Sequence, residues 1–277
     1  MKLTQTHIVL SNTYINMTNN NTFATKTIII KNIRGYMELK KYSKDGSISF
    51  CFGAFPTYEL LKNKSEETLE IVVHENLVKS EETDKILSLA RAKNIPIKTN
   101  SKLIEKLSGK GNVYVMGVFK KYKTNVNHSD NQVLLVNPSD MGNLGTIIRV
   151  MLGFGYKNLS IIKPCIDVFD PKVIRASMGS IFSINIELFD SINDYLSVNH
   201  NHKYPFMLTA KTPLGKLSQK EYPHTLIFGN EATGLSDNFL NIGSPIIIKH
   251  SNLIDSLNLS MSVGIALYEF SKNNFDK

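Results

Sequence analysis

The chain has few cysteines, no long apolar run and no complete phosphate-binding loop of the common kinds, and each lack narrows the field. Cys51 and Cys165 form no metal-ligand spacing, so both are expected as small, reduced, buried thiols. No apolar run reaches membrane-spanning length, and Met1 to Leu10 lacks the basic stretch and apolar core of a signal peptide. A cytoplasmic setting without membrane partners is the resulting expectation. Gly229 and Gly234 have the glycine spacing of a Walker A loop, but Leu235 stands where the phosphate-binding lysine is needed. Gly153-Phe154-Gly155 follows a predicted helix and lacks the third glycine of a dinucleotide site. His200 and His202 are expected in a polar surface loop with no acid at ligand spacing, and no metal is expected.

What is present is a chain of 277 residues, long enough for two domains, with an apolar content of 42%. Its formal charge of +8 is unevenly distributed. Residues 1–125 hold 20 Lys+Arg against 11 Asp+Glu, a balance of +9, and the remainder holds 12 against 13, a balance of −1. A basic module joined to a nearly neutral one suits a division between holding a polyanion and doing chemistry. Charge alone leaves open a merely soluble, lysine-rich surface.

Residues 1–24 are rich in Asn and Thr and are expected as a mobile tail, with Ile8-Val9-Leu10 able to add a short strand. Residues 25–121 read as alternating elements of a small α/β/α domain. A strand residue or two feeding a helix is expected over Ile28–Tyr42, then strands at Ile48–Phe52, Leu69–Val73, Ile95–Ile97 and Val113–Phe119. Helices are expected at Pro56–Lys62, after Ser80 and from Ser101. Residues 122–131 lack apolar periodicity and read as a linker. Over 132–277 strands and helices alternate regularly. Strands are expected at Gln132–Asn137, Leu159–Lys163, Ile184–Phe189, Phe206–Ala210, Thr225–Phe228 and Pro245–Lys249. Helices are expected at 143–153, 171–179, 191–199 and 236–241, with a last one from Leu259 to Lys272. The apolar stripe of that helix is Leu259, Val263, Leu267 and Phe270, and its small residues Ser262, Gly264 and Ala266 suit close packing against a neighbouring element or a second subunit.

Short apolar runs before polar loops read as buried parallel strands, whose carboxyl ends build the ligand site of an open α/β sheet. Three such loops stand out: Asn143-Leu144-Gly145-Thr146-Ile147-Ile148-Arg149, Gly229-Asn230-Glu231-Ala232-Thr233-Gly234-Leu235-Ser236, and Asp255-Ser256-Leu257-Asn258-Leu259-Ser260. Arg149 offers fixed donors suited to a phosphate or a hydroxyl, although a surface arginine paired with a carboxylate would look the same. Arg175 and Ser177 lie in Arg-Ala-Ser-Met-Gly, where a salt bridge to a neighbouring acid is the plain reading of the arginine. Glu231 should emerge at a strand's carboxyl end, and helix capping is the alternative for both Glu231 and Asn258.

In order, wording and spacing these segments resemble the signature motifs of the SpoU (TrmH-like) RNA 2′-O-ribose methyltransferases of the SPOUT superfamily. The resemblance is close over residues 132–271. Asp255 to Asn258 and Arg175 to Ser177 are also similar to the thiostrepton-resistance branch, which modifies ribosomal RNA. It implies a trefoil-knotted parallel sheet, an α/β fold, preceded by a small RNA-binding domain similar to a ribosomal-protein fold. It implies a homodimer through the C-terminal domain, S-adenosyl-L-methionine as cofactor, and RNA as partner, with ribosomal RNA favoured over tRNA. Carried over by position, Arg149, Asn143, Glu231, Ser256 and Asn258 are the catalytic set. Thr209, Ala210, Gly229, Asn230, Glu231, Ile248, Leu257 and Asn258 would hold the cofactor, and Arg149, Arg175 and Ser177 would meet RNA. Glu231 is expected to bond Arg149 or backbone amides, and Gly145 to permit close backbone approach. Asn137-Pro138 and Val150-Met151 depart from the family pattern. A tRNA methyltransferase, or a non-catalytic RNA-binding protein retaining the fold, is the alternative. RNA binding through the basic residues 1–125 is expected to weaken steeply with added salt, measured as the slope of log affinity against log salt; a flat response would mark the positive excess as solvated surface.

Overall fold

The computed structural model describes residues 8–10, 13–15, 39–217 and 219–274. The chain divides into two units, Met1–Lys40 and Lys41–Lys277. In the first, β1 (Ile8–Leu10) and β2 (Thr13–Ile15) pair antiparallel, with Ile8 opposite Ile15, so the short strand expected at Ile8–Leu10 is present. The remainder of the expected tail 1–24, and the strand and helix expected over 28–42 as far as residue 38, lie outside the described residues.

The second unit begins with a four-stranded sheet. Its strands are β3 (Ile48–Phe52), β4 (Thr68–Val73), β5 (Ile97–Thr99) and β6 (Val115–Lys120), in the order β3-β6-β4-β5. β6 runs antiparallel to both neighbours, and β5 lies parallel to β4 at the edge. Helix α1 (Ala54–Asn63) carries Pro56 in its first turn, where no amide donor is required. Helix α2 (Glu81–Ala92) is closed by a reciprocal cap. Ser80 Oγ accepts from the Thr83 amide at 3.3 Å, and Thr83 Oγ1 accepts from the Ser80 amide at 2.8 Å. Glu81, Glu82 and Asp84 complement its positive amino end. Helix α3 (Ser101–Ser108) is capped by Asn100. The edge strand starts at Ile97 rather than Ile95, because the Ile95 amide is used in closing α2 on Ala90 (2.9 Å).

A five-stranded, wholly parallel sheet follows, in the order β10-β12-β7-β8-β9. The members are β7 (Gln132–Val136), β8 (Asn158–Ile162), β9 (Asn185–Phe189), β10 (His202–Pro205) and β12 (His224–Phe228). A small parallel pair, β11 (Thr212–Pro213) with β13 (Ile246–Ile247), lies beyond it. The helices are α4 (Met141–Gly153), α5 (Pro171–Ala176), α6 (Ile192–Val198) and α7 (Leu259–Ser271). Residues 237–241, expected as a helix, form a 3-10 turn. In α4 Leu144, Ile147, Ile148 and Met151 are buried at helical spacing, and in α7 so are Val263, Ala266, Leu267 and Phe270. Both stripes enter one core, where each large aliphatic side chain contributes about 1.5–3 kcal/mol.

In the parallel sheet, too, a strand differs in position from its expectation. The strand expected at Phe206–Ala210 is observed as β10, four residues earlier, and residues 207–210 turn back over the sheet's carboxyl end. Hydropathy conceals β10 because its buried residues include Lys203 and Tyr204. Lys203 is tolerated there because its ammonium donates to the Asn199 carbonyl at 2.7 Å. His202 therefore opens a strand rather than sitting in a loop. Its Nδ1 lies 3.3 Å from Glu221 and its Nε2 lies 2.9 Å from Ser244 Oγ, so it has an acid partner that spacing did not disclose.

The two sheets share a core. Cys51 and Phe119 of the first, with Leu60 of α1, share a cluster with Phe169 and Phe182 from the segments that follow β8, the Phe119 ring standing edge-on to both phenylalanines. Ser49 Oγ donates to the Phe169 carbonyl at 2.6 Å. Asp167 receives Tyr42 Oη at 2.5 Å and Lys121 Nζ at 2.6 Å. Burial acts to raise the Asp167 pKa, but the bonds from Lys121 and Tyr42 outweigh it and leave the carboxyl below its ordinary value. The expected linker is strapped to β9: Thr124 Oγ1 accepts from the Ile186 amide at 2.7 Å and donates to its carbonyl at 2.9 Å. Gly145 brings α4 against α5, and a Cβ there would sit 2.5 Å from Ala176 Cβ and 2.6 Å from the Val173 carbonyl. Gly145→Ala is accordingly expected to cost about 1–3 kcal/mol by overpacking, read as a lower denaturant midpoint at unchanged slope.

Candidate active site

The loop between β7 and α4 is shaped by Asn137, whose backbone lies in the left-handed region at φ 52, a conformation Asn tolerates well. Asp140 then caps α4, its side chain accepting from the Asn143 amide at 2.7 Å. The helix thus starts two residues before the expected 143.

Into this helix start comes Glu231, from the loop after β12. Its carboxylate accepts the Ser139 amide (3.1 Å), Ser139 Oγ (2.8 Å), the Asp140 amide (3.1 Å) and Asn143 Nδ2 (3.4 Å). Partial burial acts to raise the Glu231 pKa, but the bonds from its own amide, Ser139 and Asp140 outweigh it, and the net shift is downward. An anion is stabilised at this position by the free amides of the helix start. Asn230 braces the same loop. It donates to the Asn137 carbonyl at 2.7 Å and accepts from the Ala232 and Thr233 amides at 2.9 and 3.3 Å, which uses both ends of its side chain.

The third loop joins through Asn258. Its Oδ1 caps α7, accepting from the Ser260 and Met261 amides, while its Nδ2 donates to Asn143 Oδ1 at 3.0 Å. Glu231, Asn143 and Asn258 therefore form one hydrogen-bonded line across three loops separated in sequence. Both readings of Asn258, helix cap and site residue, hold at once. Arg149 does not join the line. It lies six residues past Asn143 on α4, about 9 Å along the axis. It is exposed and has no hydrogen bond or ion pair among the described residues. Of the two partners expected for Glu231, the backbone amides are engaged and the arginine is not.

A cavity of about 330 Å³ opens beside this line, at the carboxyl ends of β10 and β12. Of the residues expected to hold the cofactor, Thr209, Gly229, Asn230, Glu231, Ile248 and Leu257 line it, as does Ser256 of the expected catalytic set. Asn258 flanks it, between the lining residues Leu257 and Leu259. Ala210 does not line it: the residue is buried in the cluster beneath, and its amide already donates to the Met207 carbonyl. Gly229 has no room for a side chain, since a Cβ would sit 2.1 Å from the Gly234 carbonyl carbon. Phe206 and Phe228, stacked with centroids 4.5 Å apart, add an apolar wall.

Arg175 and Ser177 part company. Arg175 is partly exposed with its guanidinium over the Phe52 ring. Ser177 is fully buried, and its hydroxyl donates back to the Ile174 carbonyl at 2.9 Å, so the contact with RNA expected of it is closed off by α4–α5 packing. Ser139 and Asp140 were not singled out in the sequence, although an Asp directly before an apolar helical stripe is an N-cap signal that marks the position. Among the described residues no cluster of potential metal ligands occurs.

The model of the family described as SpoU rRNA Methylase matches residues 130–268, just over half of the chain. The chain belongs to the SpoU rRNA methylase family. An uncharacterized tRNA/rRNA methyltransferase of Synechocystis is 30% identical over 145 residues, covering 51% of this chain and 53% of that protein. The 23S rRNA (adenosine(1067)-2′-O)-methyltransferase of Streptomyces laurentii is 29% identical over 153 residues, covering 54% and 57%. The chain thus spans about half the length of these curated relatives. Among solved structures, the AdoMet-bound rRNA methyltransferase from Sinorhizobium meliloti superposes with a TM-score of 0.70 at 22% identity, over 83% of this chain and 88% of that one. The SpoU methyltransferase AviRb from Streptomyces viridochromogenes, in complex with AdoMet, gives 0.70 at 19% identity, over 83% and 92%. At these identities the likeness establishes the fold, an α/β architecture on a parallel sheet. It reaches well ahead of residue 130.

Because folding lowers the Glu231 pKa, its ionised form favours the folded state. That contribution is complete above the ordinary carboxylate value and is lost as pH falls through the lower folded value. Glu231→Gln is expected to cost about 1 kcal/mol at neutral pH, solvent screening included, and to flatten the acid limb of a stability–pH profile. An unchanged acid limb would show that the carboxylate does not clamp the loops.

Proposed function

We propose that this protein is an S-adenosylmethionine-dependent RNA 2′-O-ribose methyltransferase acting on structured RNA, with ribosomal RNA as the substrate. The observation that carries the reading is the line Glu231–Asn143–Asn258 beside a small cavity, with an uncommitted guanidinium on the same helix. Family membership and the 2′-O-methyltransferase names of relatives support it.

The cavity fits the cofactor in size and chemistry. About 330 Å³ lies within the usual range for small-molecule sites, and Phe206, Phe228, Ile248 and Leu257 offer apolar walls for an adenine. Thr209, Asn230, Glu231, Asp237, His250 and Ser256 are among the polar residues that line it. When bound, the cofactor supplies a methyl group already activated on a sulfonium. What remains for the protein is to hold the ribose hydroxyl in line and to ease the loss of one proton, and orientation of that kind is worth several kcal/mol.

Arg149 is the group for that task. Its guanidinium carries donors and no acceptor, so its role is to grip the neighbouring phosphate and orient the 2′-hydroxyl. Glu231 and Asn143 act as positioning residues, holding the start of α4 and through it the arginine. Arg175 extends the RNA path. Within this reading residues 25–121 hold RNA through their basic excess and residues 132–277 perform the chemistry, in a cytoplasmic setting, with the carboxyl-terminal segment knotted through an earlier loop.

A homodimer completes the proposal. On α7, Met261, Ile265 and Tyr268 are 55%, 42% and 58% exposed, at spacings of four and three residues, opposite the buried stripe. An apolar face of this kind on a terminal helix suits a second copy of the chain.

The test is tritium transfer from labelled cofactor to total RNA, followed by mapping of alkali-resistant positions. Arg149→Ala is expected to lower transfer at least about 100-fold while leaving cofactor affinity unchanged. RNA binding without transfer to any pool would instead mark a non-catalytic RNA-binding protein, and label confined to tRNA would reassign the substrate.

A further inference from the structure

A larger cavity, of about 1060 Å³, runs along the seam between the two sheets, and none of its lining residues belongs to the three motif loops. It nevertheless opens on the same carboxyl edge of the parallel sheet, since its rim includes Lys163 and Cys165 after β8 and Asp190 after β9. The loop after β8 is tied to the loop that Glu231 clamps: the Ile166 amide donates to the Pro138 carbonyl at 3.3 Å, and Asn137 Nδ2 to the Pro164 carbonyl at 3.4 Å. The groove is thus linked to the candidate active site through the hydrogen-bonded loops after β7 and β8.

The floor is apolar, formed by Phe169, Ile184, Ile186 and Leu188. Leu188 belongs to β9, an edge strand of the sheet. One step of that edge is covered, because Thr124 satisfies both backbone groups of Ile186. Alternation along a strand turns the Leu188 amide and carbonyl to the same outward side, two residues further on. There the strap has ended, and Leu188 is 44% exposed. A donor and an acceptor therefore face an open apolar floor.

Two exposed lysines stand on the rim, on the two segments that enter the seam: Lys123, and Lys44, whose ammonium donates to the Cys165 carbonyl at 3.3 Å. Of the acids around them, Asp167 is paired with Lys121, Asp190 with Lys163 at 2.8 Å, and Glu187 with His128 and the Val126 amide; Asp45 is exposed and has no partner among the described residues. An apolar floor, a paired backbone donor and acceptor, and a lysine rim match the three parts of a nucleotide: base face, base edge and phosphate.

We propose that this groove is a subsite for an unstacked nucleotide of the RNA substrate, flanking the one whose ribose is modified. The inference rests on the RNA-modifying role proposed above. An extended peptide could pair with the same strand edge. The lysine rim and the continuity with the active-site loop favour RNA.

The test uses the full chain, a short fluorescein-labelled oligouridylate read by anisotropy, and methyl transfer to total ribosomal RNA. Lys44→Glu with Lys123→Glu removes the cationic rim. Leu188→Trp fills the groove without changing charge, and Lys157→Glu, at the opposite end of the sheet, controls for charge alone. The two groove variants are expected to weaken oligonucleotide binding about tenfold and to raise the KM for RNA with little change in kcat, while the control shifts either by less than about twofold. Wild-type KM in both groove variants, a control as damaging as the double variant, or no affinity of the wild type for the oligonucleotide would each overturn the subsite. Weakened binding in the groove variants, together with a wild type that methylates no RNA, keeps the subsite and removes the catalytic reading instead.

Discussion

A carboxylate set against the amino end of a helix organises the parallel-sheet half of this molecule. Glu231 arrives from β12 and ends on the free amides that precede α4, where the aligned peptide groups favour negative charge. Because the same carboxylate takes Asn143 Nδ2, and Asn143 in turn accepts from Asn258, one ionised group fixes three loops at once. Arg149 has no hydrogen bond or ion pair among the described residues, and Glu231 is satisfied by other donors, so the guanidinium charge is open to an anion from outside.

The second constraint is close approach of backbones. Gly145 lets α4 lie on α5, and Gly229 lets the loop after β12 fold against Gly234. Both glycines are required by space. Their effect is to draw the helix carrying Arg149, the loop carrying Glu231 and the seam at Phe169 into one connected block. The four-stranded sheet is not an appendage to that block, because Cys51, Leu60 and Phe119 are part of the same core. Between the strap at Thr124 and the loop after β8, the seam opens into a groove on the side of the candidate site loops.

Strands read as apolar runs, such as Gln132–Val136 and His224–Phe228, lie within a residue or so of expectation, because burial on both faces demands continuous hydrophobicity. β10 escaped the same logic, since its core contacts come from a tyrosine ring and the stem of a lysine whose ammonium finds a carbonyl. Ser177 misled in the opposite sense. Its place in a motif suggested contact with RNA, whereas three-dimensional packing buries it and turns its hydroxyl onto its own helix. The acid partner of His202 lies nineteen residues away in sequence and across a turn, which no local spacing reveals.

Residue order and chemistry were enough to name the family's three loops, the alternation of strands and helices, and the imbalance of charge between the halves. Those properties are local: each depends on periodicity, on a cap or on the identity of a few adjacent side chains. Tertiary structure alone decided which donors Glu231 would satisfy, that Arg149 would remain uncommitted, and that a groove would open at the seam. Each of those outcomes depends on groups brought together from distant parts of the chain, and hydrogen bonds and packing select among them only once the sheet has set the distances.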